Sequence, residues 1–298
     1  MFIVNNRKFF FALSAVLVIG SILAVSVFGL SLGIDFKGGS LLEVSYASAR
    51  PAIETIKAGL DTMDLGTYVL TPSGDQNYIL KTRDLTPAEK TTVLSAFQKD
   101  QSNPAKEERF NSIGPVVGSE LKHKALIAIV VVIICIVLFI TFAFRKVSRP
   151  VSSWKYGFAT IVALAHDVII PTGVFVTWTH FHGGEIDLLF VTALLAILGY
   201  SVHDTIVVFD RVRENLRNAD SKKSFIETVG ESVTQTMGRS INTSLTIFLA
   251  LVALYFIGGE STRDFAFVLL IGVIAGTYSS IFVASPLLVT LEKFQKKS

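Results

Sequence analysis

Cysteine is almost absent from this sequence. Cys135 is the only one among 298 residues, so the chain cannot close an internal disulfide or assemble a cluster of thiolate metal ligands. Charge is also scarce, because Asp, Glu, Lys and Arg make up 17% of the residues, whereas a soluble domain carries about 25%. With 51% apolar residues and a mean hydropathy of +0.56, the composition indicates a membrane protein.

Long apolar segments take the place of the missing charge. A helix needs ~20 apolar residues to cross a bilayer, and six segments are suitable: residues 9–34, 125–144, 156–178, 188–209, 240–257 and 265–291. The first is longer than the ~7–15-residue apolar core of a cleavable signal peptide, so we expect it to remain as a span. The sequence therefore predicts an α-helical membrane protein with six transmembrane helices.

The distribution of Lys and Arg predicts the orientation of these spans. With the N-terminus inside, the inner segments hold fifteen Lys and Arg residues, whereas the two short outer connections hold only Arg263. Positive residues stay on the cytoplasmic side of short loops. We therefore expect both termini to be cytoplasmic in a multi-pass protein. The basic balance of the chain follows from this topology and does not indicate a nucleic-acid partner.

Three regions follow from the spans. Residues 1–34 are predicted to be the cytoplasmic N-terminus and the first span, 35–122 an outer α+β domain, and 123–298 the other five spans. In the last region, residues 210–238 are amphipathic. We interpret them as a cytoplasmic segment that lies along the membrane surface.

The outer domain has a recognisable order of elements. Strands are predicted at residues 41–46, 67–70, 78–82 and 109–113, with a turn at 72–75 between the second and third. A helix is predicted over residues 51–64. Thr86, Pro87 and Glu89 form a capping-box pattern that predicts a second helix to about Lys99. The order β-α-β-β-α-β is typical of a small ferredoxin-like sandwich.

Two local patterns resemble ligand sites. "GIDFKGGS" at residues 33–40 has the spacing of a P-loop, but Gly39 occupies the position of the phosphate-binding lysine. We interpret it as a Gly-rich turn between span and domain. An outer loop offers possible zinc ligands without a specific spacing, and we interpret it as a polar interfacial loop: His180, His182, Glu185 and Asp187. We predict no metal and no cofactor.

Polar residues recur at helical spacing inside the fourth and fifth spans. Asp204, Thr205 and Val208 follow Ser201 by three, four and seven residues, so all four share one face of a helix. The fifth span begins with a similar pattern: Arg239, Asn242, Thr243 and Thr246. An ionisable group inside a membrane costs about 2.5–3.5 kcal/mol on insertion scales, so such groups need an explanation.

A proton relay is one explanation. In this interpretation Asp204 releases a proton as Arg239 approaches and binds one as Arg239 withdraws. The structural alternative is that Asp204 and Arg239 pair only to hold the helices together. His166 and Asp167 repeat the His-Asp pair in the third span, where Asp167 is either a second relay station or a structural partner near Pro171. The role of His203, next to Asp204, is open.

Four stretches resemble the SecD/SecF family of protein-export membrane proteins, which belongs to the resistance–nodulation–division superfamily. They are "GIDFKGGS", "GPVVGSEL", "GYSVHDTIVVFDRVREN" and "QTMGRSINTSLTIFLALVALYFIGG", at residues 33–40, 114–121, 199–215 and 235–259. The resemblance covers essentially the whole chain. It implies a six-span half of a transporter-like fold with one periplasmic domain, located in the bacterial inner membrane.

The resemblance also implies partners and a mechanism. The expected partners are SecD, the SecYEG translocon and the translocating unfolded polypeptide, and the proton-motive force drives late steps of translocation. Asp204 and Arg239 match positions associated with proton transfer in that family. His203 stands where Asn or another residue often occurs, so its part in the relay stays open.

Three other functions are alternatives. The first is an assembly subunit of the translocon without proton coupling. Asp167 and Asp204 on consecutive spans suggest an intramembrane aspartyl protease, but no G-x-G-D pattern surrounds either. A self-contained efflux pump would need both halves and larger outer domains. We expect a protein that is not an enzyme.

Overall fold

The computed structural model describes residues 2–99, 102–145, 152–218 and 223–295. Contacts divide the chain into two compact units. The membrane unit comprises Met1–Ser31, Ile127–Gly184 and Leu189–Ser298, and the outer unit comprises Leu32–Leu126 and Glu185–Leu188. In chain order the elements are α1 (Phe2–Asn5), α2 (Arg7–Phe28), α3 (Ile34–Lys37), β1 (Gly39–Ser45), α4 (Ile53–Leu60), β2 (Val69–Ser73), β3 (Asn77–Thr82), α5 (Pro87–Phe97), β4 (Lys106–Ile113), α6 (Pro115–Ala143), α7 (Ser153–His182), α8 (Leu188–Asn218), α9 (Phe225–Ile257), α10 (Glu260–Tyr278), a π-helical segment (Ser279–Ala284) and α11 (Ser285–Gln295).

Within the described ranges, six helices are long and apolar enough to cross a membrane, as predicted. They are α2, α6, α7, α8, α9 and the continuous helix over Thr262–Glu292, which includes the π-helical segment. The first span is shorter than predicted, because α2 ends at Phe28, before Gly29 with a φ of 71°. The third is longer, since α7 continues to His182.

The predicted cytoplasmic amphipathic segment, residues 210–238, is helical at both of its described ends. Its residues continue α8 to Asn218 and begin α9 at Phe225. Ser224 and Glu227 form a capping box that starts α9 inside the segment. The two helix ends share a buried apolar cluster: Phe209, Val212, Phe225, Val229 and Val233.

The outer unit contains one four-stranded antiparallel sheet. Its strand order is β2-β3-β1-β4, and its elements follow the predicted order β-α-β-β-α-β. The buried core between sheet and helices includes Leu42, Val44, Leu60, Tyr78, Leu80 and Phe97. The core therefore forms as the apolar alternation of β1 and β3 requires.

One part of the predicted sheet was wrong. Pro72 and Ser73 belong to β2, which pairs with β3 up to Ser73 opposite Asn77, so the turn begins only after them. Proline cannot donate to a ladder, but β2 is an edge strand, where that loss is tolerated. β4 also begins earlier than expected, at Lys106.

The predicted capping box at the start of α5 is present. Thr86 and Glu89 each bond the backbone N–H of the other. Glu89 also accepts a hydrogen bond from Arg83 at 2.5 Å. That bond, and then the bonds from Thr86, hold the pKa of the Glu89 carboxyl down to about 2.

Small residues let the membrane helices approach closely. A Cβ on Gly272 would lie 2.1 Å from Ile197 Cδ1, and one on Gly276 would lie 3.0 Å from Ser201 Cβ. α10 therefore packs directly on α8 along the small-residue ridge that the sequence contains, which is how helices associate in membranes.

Candidate functional site

Asp167 is the centre of a buried polar cluster in the membrane unit. Its carboxyl is 0% exposed. Oδ2 accepts hydrogen bonds from Ser201 on α8 and from Ser279 in the π-helical segment, the latter at 2.7 Å, and Oδ1 lies 2.8 Å from His166 Nδ1. Both oxygens of Asp167 thus lie within hydrogen-bond distance of polar groups from three helical elements.

Asp204, one turn along α8 from Ser201, has a different environment. It is 7% exposed, and Oδ1 accepts a hydrogen bond from Ser240 of α9 at 2.5 Å. Oδ2 is buried and has no hydrogen-bond partner among the described residues. Most buried polar atoms in proteins are paired. The described site has two that are not, Asp204 Oδ2 and His166 Nε2, and of the two carboxyls only that of Asp204 has such an oxygen.

Hydroxyl groups connect α8 to the π-helical segment beside the two carboxyls. Thr205 Oγ1 and Ser280 Oγ lie 2.8 Å apart, and Ser280 donates to the backbone oxygen of Ser201 at 3.3 Å. The adjacent residues Ser279 and Ser280 thus lie beside the two successive turns of α8 that contain Ser201 and Thr205. π-helical turns occur often at functional sites, and this one contributes two of the hydroxyls around Asp167 and Thr205.

A second hydroxyl cluster lies farther along α8 and α9. Tyr200 Oη is 2.6 Å from Ser244 Oγ, which is in turn 2.6 Å from Thr277 Oγ1. Ser244 also bonds the backbone oxygen of Ser240 at 2.7 Å. Ser240 therefore contacts this cluster through its backbone oxygen and Asp204 through its hydroxyl.

The predicted polar face of α8 is buried, as its spacing indicated: Ser201, Asp204, Thr205 and Val208. In the described residues, the other residues predicted for this site on α8 and α9 form no hydrogen bond to the Asp204 carboxyl. His203, Arg239, Asn242 and Thr243 are exposed in this chain. No ion pair joins Arg239 to Asp204 in the described part of the chain.

Sequence reasoning missed the donors on the neighbouring helices. Ser240 and Ser244 lie on the buried face of α9 with Thr236, and Ser279 and Ser280 lie on the sixth span. The spacing of four residues between Thr236, Ser240 and Ser244 was a usable signal. A second polar pattern on the same helix, which begins at Arg239, was chosen instead because it contains a charged residue.

The outer-loop residues have other partners. His182 stacks on Trp178 with ring centroids 3.7 Å apart, and His180 stacks on Phe28 at 4.3 Å. Within the outer unit, Glu185 forms an ion pair with Lys81 at 2.9 Å. Each of these side chains is thus engaged in a stacking or ion-pair contact.

Comparison with known families gives two matches. The family described as "Protein export membrane protein SecD/SecF, C-terminal" matches residues 92–294, and the "SecD/SecF GG Motif" matches residues 23–49. Together they include the fourth and fifth spans and the motif at residues 33–40. They cover more than half of the chain.

Individual relatives agree with these matches. The chain is 40% identical to the protein translocase subunit SecF of Thermobaculum terrenum, over 97% of this chain and 93% of the relative. It is 36% identical to that of Anaerolinea thermophila, over 97% and 94%. The crystal structure of SecDF from Thermus thermophilus, called a translocon-associated membrane protein, matches with a TM-score of 0.82 and 31% identity over 97% of this chain. This chain spans 38% of that longer one.

Proposed function

Because the chain belongs to the SecD/SecF family of protein-export membrane proteins, we propose that it is a Sec subunit that couples proton-motive force to late steps of polypeptide translocation. The observation that carries this proposal is the buried Asp204, whose second oxygen has no hydrogen-bond partner among the described residues. A carboxyl in that position takes up a proton without displacing an existing donor.

Asp204 and Asp167 have separate roles in this proposal. Asp204 exchanges the proton, with a single hydroxyl donor from Ser240. Asp167 holds Ser201 and Ser279 in place through hydrogen bonds to its Oδ2, and its Oδ1 lies 2.8 Å from His166 Nδ1. Asp167 therefore orients the helices around Asp204 and is the less suited of the two to gain a proton.

Arg239 is the proposed switchable partner of Asp204. It is exposed, and it precedes Ser240, whose hydroxyl now bonds Asp204. Successive residues on an α-helix are about 100° apart, so a rotation of α9 by about that angle replaces Ser240 with Arg239 at Asp204. An arriving guanidinium favours the ionised carboxyl and releases its proton. One charge moved across the membrane supplies ~2.3 kcal/mol per 100 mV for this cycle.

The assembly and location proposed here follow the family and the pattern of charges. The chain lies in the bacterial inner membrane with both termini in the cytoplasm, as the Lys and Arg distribution supports. It works with SecD and SecYEG on an unfolded polypeptide. Residues 35–122 form a periplasmic ferredoxin-like domain, which the strand order β2-β3-β1-β4 supports.

The protease alternative receives no support from the geometry. An aspartyl dyad needs two carboxyls that share a proton or a water. Asp167 and Asp204 instead bond different serines, and no hydrogen bond joins the two carboxyls in the described ranges. The competing proposal that remains is an assembly subunit without proton coupling.

Replacement of Asp204 by Asn tests the choice between these two proposals. The variant keeps an acceptor for Ser240 but cannot ionise, so we expect proton-dependent export to be lost while membrane level and SecD co-purification stay normal. Asp210→Asn is a matched control, since Asp210 is an exposed acid on the same helix that pairs with Arg213. Normal export by Asp204→Asn would overturn the relay, and loss of assembly would favour a structural role.

A further inference from the structure

The Gly-rich segment at residues 33–40 is a packing junction inside the outer unit. A Cβ on Gly38 would lie 2.7 Å from Pro115 Cα at the start of α6, and one on Gly39 would lie 2.6 Å from the Thr82 backbone oxygen at the end of β3. Both glycines also have positive φ angles, 79° and 137°, which favour glycine. The segment therefore contacts the sheet and the beginning of one membrane helix at the same time.

The same segment is fastened to the loop that precedes α8. Leu32 and Ile186 form a parallel β-bridge, and the Gly33 N–H donates to the Ile186 oxygen at 2.8 Å. Lys81 on β3 pairs with Glu185 at 2.9 Å. The residues just before α8 thus belong structurally to the sheet of the outer unit.

Asp35 provides the last contact of this series. Its Oδ2 accepts a hydrogen bond from the backbone N–H of Leu188 at 2.9 Å, and Leu188 is the first residue of α8. The first N–H groups of a helix lack partners within the helix, and a carboxylate is favoured at the positive end of the helix dipole. Asp35 therefore stabilises the N-terminus of a helix that begins 153 positions away in sequence.

α8 is also the helix that carries the polar face of the membrane site. Asp204 lies sixteen residues after Leu188, which is about 24 Å along a helix with a rise of 1.5 Å per residue. A hydrogen-bonded helix moves as a stiff element, so a displacement of its first turn reaches Ser201 and Asp204. The contacts of Asp35 and Glu185 tie that first turn to the sheet.

We propose that Asp35 is a positioning residue for α8, through which the outer unit controls the environment of Asp204. The inference rests on the proposed proton relay and adds a mechanical connection to it. Movement of the sheet shifts the start of α8, and α8 changes the position of Asp204 relative to Ser240.

The test compares Asp35→Ala with Asp35→Asn in the full chain, co-expressed with SecD in membrane vesicles. Asn keeps an oxygen that accepts the Leu188 N–H, whereas Ala does not. Asp75→Ala is the control, because Asp75 is an exposed acid in the turn between β2 and β3. Three quantities are measured: amide exchange of residues 188–191, the pH profile of carbodiimide labelling of Asp204, and proton-dependent export.

We expect Asp35→Ala to speed amide exchange in the first turn of α8 about fivefold, as loss of a helix cap does. It should also shift the pH profile of Asp204 labelling and lower export on the order of tenfold, since misplacement from afar can cost up to ~10²-fold. Asp35→Asn and Asp75→Ala should remain near the unmodified chain in all three measurements.

Several outcomes would overturn the inference. Unchanged exchange in Asp35→Ala would show that Asp35 does not hold the helix. Faster exchange with an unchanged labelling profile of Asp204 would show that the cap is only local. The proton relay is tested by a different variant: normal export by Asp204→Asn would overturn it. The positioning role of Asp35 is decided separately, by amide exchange and by the labelling profile of Asp204 in the Asp35 variants.

An independent variant pair examines the neighbouring contact. Lys81→Glu or Glu185→Lys alone places like charges 2.9 Å apart in the present geometry, and should lower export. The double exchange restores opposite charges and should recover most of it. Failure of the double variant to improve on both single variants would contradict a role for this ion pair in fastening α8.

Discussion

At the scale of single residues, the two buried aspartates differ in how many donors they have. Three groups surround Asp167: the hydroxyls of Ser201 and Ser279 and the ring of His166. Asp204 has one hydroxyl donor. Removal of an acceptor leaves buried donors unpaired, which costs about 1–3 kcal/mol. The same change from Asp to Asn should therefore have different consequences at the two positions.

We expect Asp167→Asn to lower the thermal stability of the purified protein by about 1–3 kcal/mol, because its amide NH₂ meets groups that also donate. Asp204→Asn should leave stability nearly unchanged, since the amide oxygen still accepts from Ser240. Unfolding of both variants in the same detergent measures the difference. Equal stability of the two variants would contradict the structural role assigned to Asp167.

The same residues show what a single sequence reveals. The helical period predicted the buried face of α8 correctly, because Ser201, Asp204 and Thr205 stand out in an apolar segment. It did not identify the partner face of α9. Arg239 and Ser240 are adjacent, so two polar stripes run along α9 about 100° apart, and the sequence does not say which one faces α8.

At the scale of elements, close helix packing depends on residues without side chains. Gly272 on α10 faces Ile197 on α8, and an added Cβ would lie 2.1 Å from the Ile197 Cδ1 atom. An overlap of this kind in a packed interior forces side chains out of their preferred rotamers or shifts the backbone, which destabilises a protein by about 1–3 kcal/mol. This contact lies one turn from the contact between Gly276 and Ser201, so strain here also reaches the polar site.

We therefore expect Gly272→Leu to destabilise the protein by about 1–3 kcal/mol and to reduce export. Ile197→Ala in the same chain should restore part of the stability, because it removes the overlapping atoms. Gly199→Leu is the matched control, since nothing lies within 4 Å of a Cβ at Gly199. Thermal unfolding of the four proteins measures the coupling, and equal effects at the two glycines would contradict the packing argument.

The ends of helices and strands were predicted correctly only where a local sequence signal, such as a capping box, was recognised. The capping box at Thr86 and Glu89 gave the start of α5 correctly. The equivalent pair Ser224 and Glu227 starts α9, but this capping box was not recognised in the sequence. The order of strands and helices in the outer unit was predicted correctly, but the length of β2 was not. Pro72 fits in β2 because β2 is an edge strand, and the position of a strand in the sheet depends on the tertiary structure.

At the scale of the whole molecule, the topology is a prediction that follows from charge alone. An even number of spans puts both termini on one side, and the Lys and Arg bias favours the cytoplasm. In a Cys135→Ser background, Asp75→Cys should react with a membrane-impermeant maleimide added to intact cells. Asn218→Cys should react only after permeabilisation. The opposite pattern of labelling would reverse the orientation, and the cysteine-free chain is the control for background labelling.

The exposed polar stripe of α9 has a consequence for assembly. Arg239, Asn242 and Thr243 are exposed in this chain, and a charged side chain that faces hydrocarbon is costly. Polar groups inside a membrane usually face protein or a water-filled cavity, so a partner surface should cover this stripe. In the matched SecDF structure, this protein spans 38% of a longer chain.

A photo-crosslinking residue at Asn242 should therefore react with SecD when the two proteins are co-expressed. Leu138 on α6 is the matched control, because its apolar side chain is 64% exposed and suits contact with lipid. We expect a SecD adduct from position 242 and none from position 138, as measured by mass shift and immunoblot. Adducts from both positions would point to non-specific proximity. An adduct from position 138 alone would place the partner on a different face, and Arg239 would then lack the protein surroundings that a switchable partner of Asp204 requires.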